Sequence, residues 1–184
     1  MKNLKNLIIL TGPSGVGKGT VVKEILDKDK TIWLSISATT RNPRKGEKEG
    51  ENYYFLSEKD FEEMIDKKLF LEWAQFAGNY YGTPLSSVKE KIEEGFIVLL
   101  EIEVEGAKQI KDQFPESFSI FLLPPSKKEL ERRIRNRGTE KEDAINRRLI
   151  RANYEIASSD KFDFKLTNYD VNETAQTIIK IIRS

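Results

Sequence analysis

The stretch LIILTGPSGVGKGT, residues 7 to 20, reads as a buried strand, a glycine-rich turn, a lysine and the start of a helix. Against the phosphate-loop pattern G-x-x-x-x-G-K-[ST], Gly12, Gly17 and Lys18 fit. The last position holds Gly19, and the hydroxyl arrives one residue late, on Thr20. Glycines let successive backbone N–H groups turn inward and ring a phosphate. The helix that follows adds the positive end of its dipole, and Lys18 supplies a mobile positive charge for β- and γ-phosphates. The alternative is an ordinary strand–turn–helix connection. Here the strand precedes, the helix follows and the lysine sits where the pattern needs it. The stretch therefore predicts a nucleoside triphosphate site built from Gly12, Pro13, Ser14, Gly15, Val16, Gly17, Lys18, Gly19 and Thr20.

Outward from this loop, further short apolar runs read as buried strands at Phe96–Leu100 and Ser119–Leu123, with a weaker one at Phe162–Leu166. Helical patterns fall at about 18–28, 85–94, 105–113, 126–136, 140–158 and 171–183. This alternation predicts an α/β fold around a parallel sheet covered on both faces. Residues 35 to 83 break the pattern. Their aromatic-rich alternating segments look like short antiparallel strands around a helix near 57–67, an insert on the main sheet.

The chain has 184 residues, which suits one domain. Its 31 basic and 30 acidic residues leave a net charge of +1, which argues against a general nucleic-acid or membrane-surface binder. It has no cysteine and no histidine, so disulfides, thiolate chemistry, imidazole bases and histidine metal sites are excluded. No apolar run approaches the ~20 residues needed to span a bilayer, and the N-terminus carries no apolar leader, so a cytoplasmic location is expected.

Four further motifs carry chemistry. In SISATTRNPRKGEKEGENYYF, residues 35 to 55, Arg41 and Arg44 flank Pro43 among turn formers. Their guanidinium forks suit phosphate oxygens, with Tyr53 as a phenol donor; a solvated basic loop is the alternative. In FLEWAQFAGNYYGT, residues 70 to 83, Glu72 lies among Phe70, Leu71, Trp73 and Phe76. A half-buried carboxylate needs donors, and guanine presents two on one edge, N1–H and the 2-amino group, where adenine does not. Tyr80, Tyr81 and Thr83 are either phosphate donors or packing. In VLLEIEVEG, residues 98 to 106, an apolar strand ends in Glu101, Glu103 and Glu105. Ligands of open α/β sheets sit at such carboxyl ends, where an acid commonly manages Mg²⁺ or its waters. Finally, residues 132 to 151 hold Arg132, Arg133, Arg135, Arg137, Arg147, Arg148 and Arg151. A mobile arginine can neutralise charge on a transferred phosphoryl group. Others form an exposed helical face with ion pairs such as Glu129 with Arg133, and Arg132 and Arg135 are assigned to that role.

Taken in order, GPSGVGKGT, the TTRxPRxGE segment, FLEWAxxxGNYYGT, the acidic strand end before EG, and RxRGTExxxxxxRR resemble the guanylate kinases of the nucleoside monophosphate kinase group over essentially the whole chain. The resemblance implies a three-layer P-loop NTPase fold in three parts: a core at about 1–34, 84–136 and 150–184, a GMP-binding insert of mixed α and β structure at about 35–83, and a short lid at about 137–149. It implies transfer of a phosphoryl group from MgATP to GMP, with ATP and GMP as substrates and no nucleic-acid, membrane or protein partner. By the same resemblance Arg41, Arg44, Tyr53 and Tyr81 would bind the GMP phosphate, and Ser37, Glu72 and Thr83 would read guanine. Arg137 and Arg148 would reach the transferring group from the lid, and Asn168 would contact adenine or close its pocket.

The same resemblance accounts for Gly19, since these kinases tolerate glycine after the lysine. Mg²⁺ is then expected to be held by ATP and water, with help from Thr20, Glu101 or Glu103. One departure stands out: the family usually has Asp at the position of Glu103 and Gln at that of Glu105, so Glu103 carries an extra methylene. Kinases for AMP or dTMP, and kinase-like interaction modules, are the rival readings. Glu72 with Ser37 argues against the first and the retained Lys18 against the second.

Overall fold

The structure, a computed structural model, describes residues 6–76, 78–136 and 142–183. Its first strand, β1 (Leu7–Thr11), is buried along its whole length. It lies at the centre of a sheet completed by β2 (Ile32–Leu34), β7 (Ile97–Glu101), β8 (Phe118–Leu123) and β9 (Phe164–Thr167), in the order β2-β7-β1-β8-β9. Every pairing in this sheet is parallel.

Continuous apolar runs fit this position because side chains alternate between faces. Leu7, Ile9, Val98, Leu100 and Phe121 point into one core with Val104, Ala107 and Ile110 of α4 (Val104–Gln113). Ile8, Leu10, Leu99, Ile120 and Leu122 point into the other. There they meet Val21, Val22 and Ile25 of α1 (Lys18–Lys28) and Ala175 and Ile178 of α7 (Val171–Arg183). Helices on both faces of one parallel sheet make the three layers. Each fully buried aliphatic side chain contributes roughly 1.5–3 kcal/mol.

The second sheet falls within residues 38–84 and has the order β4-β3-β6-β5. Its strands are β3 (Ala38–Thr39), β4 (Tyr54–Phe55), β5 (Phe70–Phe76) and β6 (Asn79–Pro84). The expectation of antiparallel strands here is corrected in part. β5 and β3 run antiparallel to β6, but β3 and β4 are parallel, because the chain between them crosses back through a loop before re-entering the sheet. Helix α2 (Glu58–Asp66) closes this unit: Phe61 stacks on Phe70 at 4.3 Å and on Tyr80 at 5.3 Å between ring centroids. Three more helices, α3 (Leu85–Glu93), α5 (Lys127–Arg135) and α6 (Glu142–Ala157), complete the chain with α4 and α7. Leu130 and Ile134 of α5 pack on Ile145 and Ala152 of α6.

Candidate active site

The phosphate loop leaves β1 at Gly12, whose φ is +150° and where a Cβ would stand 2.6 Å from the Leu122 carbonyl oxygen of β8. Only glycine lets the loop lie that close to the neighbouring strand. The loop ends at Gly17, φ 98°, which caps α1 without a side-chain acceptor, so the first amides of α1 face the loop unscreened. Lys18 folds back over the turn, its Nζ donating to the Gly12 carbonyl at 2.7 Å. A cleft of about 170 Å³ opens here, lined by Pro13, Ser14, Gly15, Gly17, Lys18, Gly19, Glu101 and Glu103.

The back of the loop is braced from three helices. The Asn168 amide donates to the Val16 carbonyl at 2.9 Å and accepts from the Thr174 hydroxyl at 3.1 Å. Arg133 donates to the same Val16 carbonyl at 3.0 Å and to the Asn168 carbonyl at 3.3 Å, while its Nε is held by Glu129 at 2.8 Å. Asn168 is therefore buried behind the loop with both ends of its amide engaged. From α6, Arg148 donates to the Ser14 hydroxyl at 2.9 Å. Buried Glu155 accepts from the Ser14 backbone N–H at 3.4 Å and from Arg151 Nε at 2.8 Å. Arg151 reaches on to Glu103 at 3.2 Å.

At the mouth of the cleft, Glu101 ends β7, half-buried. Burial pushes its carboxyl above the usual range, Lys18 opposes this, and Glu103 adds to it. The Glu101 oxygens lie 3.6 and 3.8 Å from where a Cβ on Gly19 would stand. Thr20 follows, exposed on the first turn of α1.

The second sheet supplies the other half. Glu72 and Thr83 are cross-strand partners on β5 and β6, and the Thr83 hydroxyl donates to Glu72 Oε1 at 2.6 Å. Glu72 is 7% exposed. Burial raises its carboxyl above the usual carboxylate range, against hydrogen bonds from the Thr83 hydroxyl and backbone. Arg41 donates from Nη2 to both Glu47 oxygens at 2.9 Å and lies 5.4 Å from the Tyr53 ring centroid. Tyr53 meets Tyr81 edge-on at 6.2 Å, and burial pushes its phenol up, keeping it a donor at neutral pH. Arg44 gives its backbone N–H to Glu47 at 2.7 Å. Ser37 sits just before β3, its carbonyl accepting from the Tyr54 N–H. Arg137 lies outside the described residues, as does the first part of the lid segment.

The structure thus assembles two halves, a phosphate cleft on the parallel sheet and a patch holding Arg41, Tyr53, Glu72, Tyr81 and Thr83 on the second. A family model described as guanylate kinase matches residues 4–184. The chain belongs to the guanylate kinase family. It is an enzyme, an ATP:GMP phosphotransferase of the nucleoside monophosphate kinase kind. A guanylate kinase from Prochlorococcus marinus subsp. pastoris is 78% identical over 184 residues, covering 100% of both chains. One from Trichormus variabilis is 54% identical over 172 residues, 94% of this chain and 86% of the relative. Among solved structures, a guanylate kinase from Anaplasma phagocytophilum superposes with a TM-score of 0.75 at 33% identity, covering 96% of this chain and 83% of that one. A shikimate kinase from Bacteroides thetaiotaomicron, at TM-score 0.51 and 15% identity, shares the fold alone.

Several residues whose contacts shape this region leave little signal in the sequence. Glu47 was one lysine-flanked acid among many, and its grip on Arg41 has only the six-residue spacing as a signal. Arg133 was read for its pair with Glu129, which exists, but its contact with Val16 spans 117 positions and left no local trace. Glu155 and Arg151 look like an ordinary i,i+4 surface pair, yet Glu155 is buried under Ser14.

Proposed function

We propose that the cleft around Gly12 to Thr20 takes the phosphates of ATP and that the facing patch on the second sheet takes GMP. The observation that carries this reading is the Glu72–Thr83 pair: a carboxylate 7% exposed, with one oxygen satisfied at 2.6 Å and no cation on it among the described residues. A buried carboxylate is stabilised by donors. The N1–H and 2-amino group of guanine supply two donors on one edge, and Ser37 is assigned to the same base. Arg41, Arg44, Tyr53 and Tyr81 then hold the GMP phosphate, Arg41 being already aimed by Glu47.

In this mechanism the GMP phosphate, anionic near neutral pH, is itself the nucleophile, and no general base is required. The γ-phosphoryl group leaves the ATP β-phosphate oxygen and bonds to a GMP phosphate oxygen. Catalysis is alignment plus neutralisation of charge. Lys18 follows the β- and γ-phosphates, and Arg148, beside Ser14, reaches the transferred group together with Arg137. Magnesium arriving with ATP fits the hard-oxygen donors at the cleft mouth, Glu101, Glu103 and Thr20. When bound, it would supply positive charge to offset that of the phosphates. The same reading extends to dGMP, which presents the same base edge, and to work in the cytoplasm on purine nucleotides.

A coupled assay with GMP, dGMP, AMP and dTMP tests the base reading. GMP and dGMP should dominate, and faster turnover of AMP than of GMP would overturn it.

A further inference from the structure

Helix α4 lies along β5, the open edge of the second sheet. Three of its positions, Gly106, Gln109 and Gln113, share one stripe at helical spacing and face that edge. The Gln109 side chain accepts from the Trp73 N–H at 3.3 Å and donates to the Trp73 carbonyl at 3.0 Å. Gln113 donates to the Leu71 carbonyl at 3.3 Å. In a strand, alternate residues turn their backbone groups to the same side, so these two amides do for residues 71 and 73 what another strand would do. Glu72, between them, pairs the other way, with Thr83.

One turn earlier the helix carries no side chain. A Cβ on Gly106 would stand 2.5 Å from Glu72 Oε2, 3.0 Å from its Cδ and 3.3 Å from its Cγ. Gly106 is buried and is absent from the described glycines with positive φ, so its backbone does not require glycine. Glycine inside a helix costs stability relative to alanine. The space it leaves is filled by the Glu72 carboxylate.

We propose that Gly106 is a specificity-determining position of the guanine subsite, acting through the side chain it lacks, and that Gln109 and Gln113 are positioning residues that hold β5 in register on α4. This rests on the reading of Glu72 as the guanine acceptor. The helix that follows Glu103 of the phosphate cleft therefore also sets where the base is read. A methyl group at 106 must push the carboxylate out of line with Thr83 and with the base. The displaced side chain has somewhere to go, since a cavity of about 430 Å³ lined by Leu71, Glu72, Trp73, Gln109, Gln113 and Phe114 lies alongside.

The test is Gly106→Ala, measured by steady-state kinetics and thermal unfolding beside Glu72→Gln. Gly106→Ala should raise the KM for GMP about ten- to a hundredfold, the scale of losing a charged hydrogen bond to the base. The KM for ATP should stay within about twofold and the melting temperature should fall by no more than a few degrees, because the gain of alanine as a helix former offsets part of the cost of leaving the buried Thr83 hydroxyl without its acceptor. Glu72→Asp, which withdraws the carboxylate by one methylene, should cost less in the Gly106→Ala background than alone. If Glu72→Gln raises the GMP KM and Gly106→Ala leaves it within twofold, the inference about Gly106 is wrong while the base reading stands. If Glu72→Gln has no effect on the GMP KM, both are wrong. Should Gly106→Ala not fold, Gln109→Met keeps the shape and removes both bonds to Trp73. It should raise the GMP KM severalfold with kcat preserved, and a fall in kcat at unchanged KM would overturn the positioning role.

Discussion

Asn168→Ala separates two roles for one residue. If Asn168 braces the phosphate loop, its loss leaves the Thr174 hydroxyl, on a residue 3% exposed, without its acceptor. The Val16 carbonyl keeps its bond from Arg133, so that side of the brace is only halved. One orphaned buried hydroxyl costs about 1–3 kcal/mol, and the removed amide leaves a small void beside it. A net loss near 2 kcal/mol is the reasoned middle. At about 2.1 cal/mol/K of unfolding entropy per residue, a chain of 184 residues has about 0.4 kcal/mol/K, so the melting temperature should fall by about 5 °C. The loop should also lose definition where α1 begins, because Gly17 sits 3.0 Å (as a would-be Cβ) from the Asn168 amide nitrogen. The KM for ATP should then rise severalfold, and GTP and ATP should suffer alike, since a brace does not touch the base. Thermal unfolding by circular dichroism and a coupled assay with both nucleotides read these effects. An unchanged melting temperature with loss of adenine preference would refute the bracing argument and favour a contact with adenine.

Lys18→Met should cut turnover by orders of magnitude with little change in stability, since the half-exposed ammonium makes one bond, to the Gly12 carbonyl; near-normal kcat would sink the mechanism. Glu72→Gln should gain on the parent protein as pH rises. The folded Glu72 pKa lies above its ordinary 4.5, so its contribution to stability is full below that value and is lost as pH climbs through the raised one. Denaturant unfolding at pH 4 and pH 8 checks this, and a variant whose relative stability falls with pH contradicts it. Gly19→Ser should keep turnover within a few-fold, because its Cβ meets Glu101 at ordinary contact distance, 3.6 Å; a hundredfold loss would show that the site needs glycine there.

Much of the fold could be read from the chain because its signals are local. Helix α1 starts at the phosphate-loop lysine and spans Lys18–Lys28, as its spacing indicates, and α7 spans Val171–Arg183 likewise. Strand β2 was missed because three residues, Ile32–Leu34, are too short to show a period. The parallel direction of β4 against β3 depends on the path of the loop between them, which no pattern in either strand encodes. In the site, the apolar neighbours of Glu72 gave away its burial. Asn168 gave away nothing, since an asparagine in LTNYD looks the same whether its amide faces a base or the back of a loop. Its role came from Val16, 152 positions away. Gly106 was equally silent, because its importance lies in what another strand places over it.

The cations of the site raise a problem that their partners answer. Lys18, Arg41, Arg133, Arg148 and Arg151 stand around a region that must receive two polyanions, and like charges left bare would repel one another and loosen the site. Each instead has a protein oxygen: Gly12 for Lys18, Glu47 for Arg41, Glu129 and Val16 for Arg133, Ser14 for Arg148, Glu155 and Glu103 for Arg151. On the proposed reading, substrate binding is then an exchange of oxygens on cations already in place. Binding strength is set by the difference between phosphate and the resident partner, and the ordering of long side chains is already met in the fold. The partners are graded to suit. Lys18 holds a neutral oxygen, the Gly12 carbonyl, which a phosphate displaces readily. Arg133 and Arg151 hold carboxylates, which a phosphate displaces less easily, and these two serve the loop's shape. Arg41 is the intermediate case, gripped by Glu47 yet open to Tyr53 and Tyr81 on its other side. Glu47→Gln should therefore tighten GMP at equilibrium, by removing a competing charge, while lowering kcat by leaving Arg41 free to wander. Isothermal titration beside steady-state kinetics reads both, and weaker GMP binding in that variant would show that Glu47 aims Arg41 more than it competes for it.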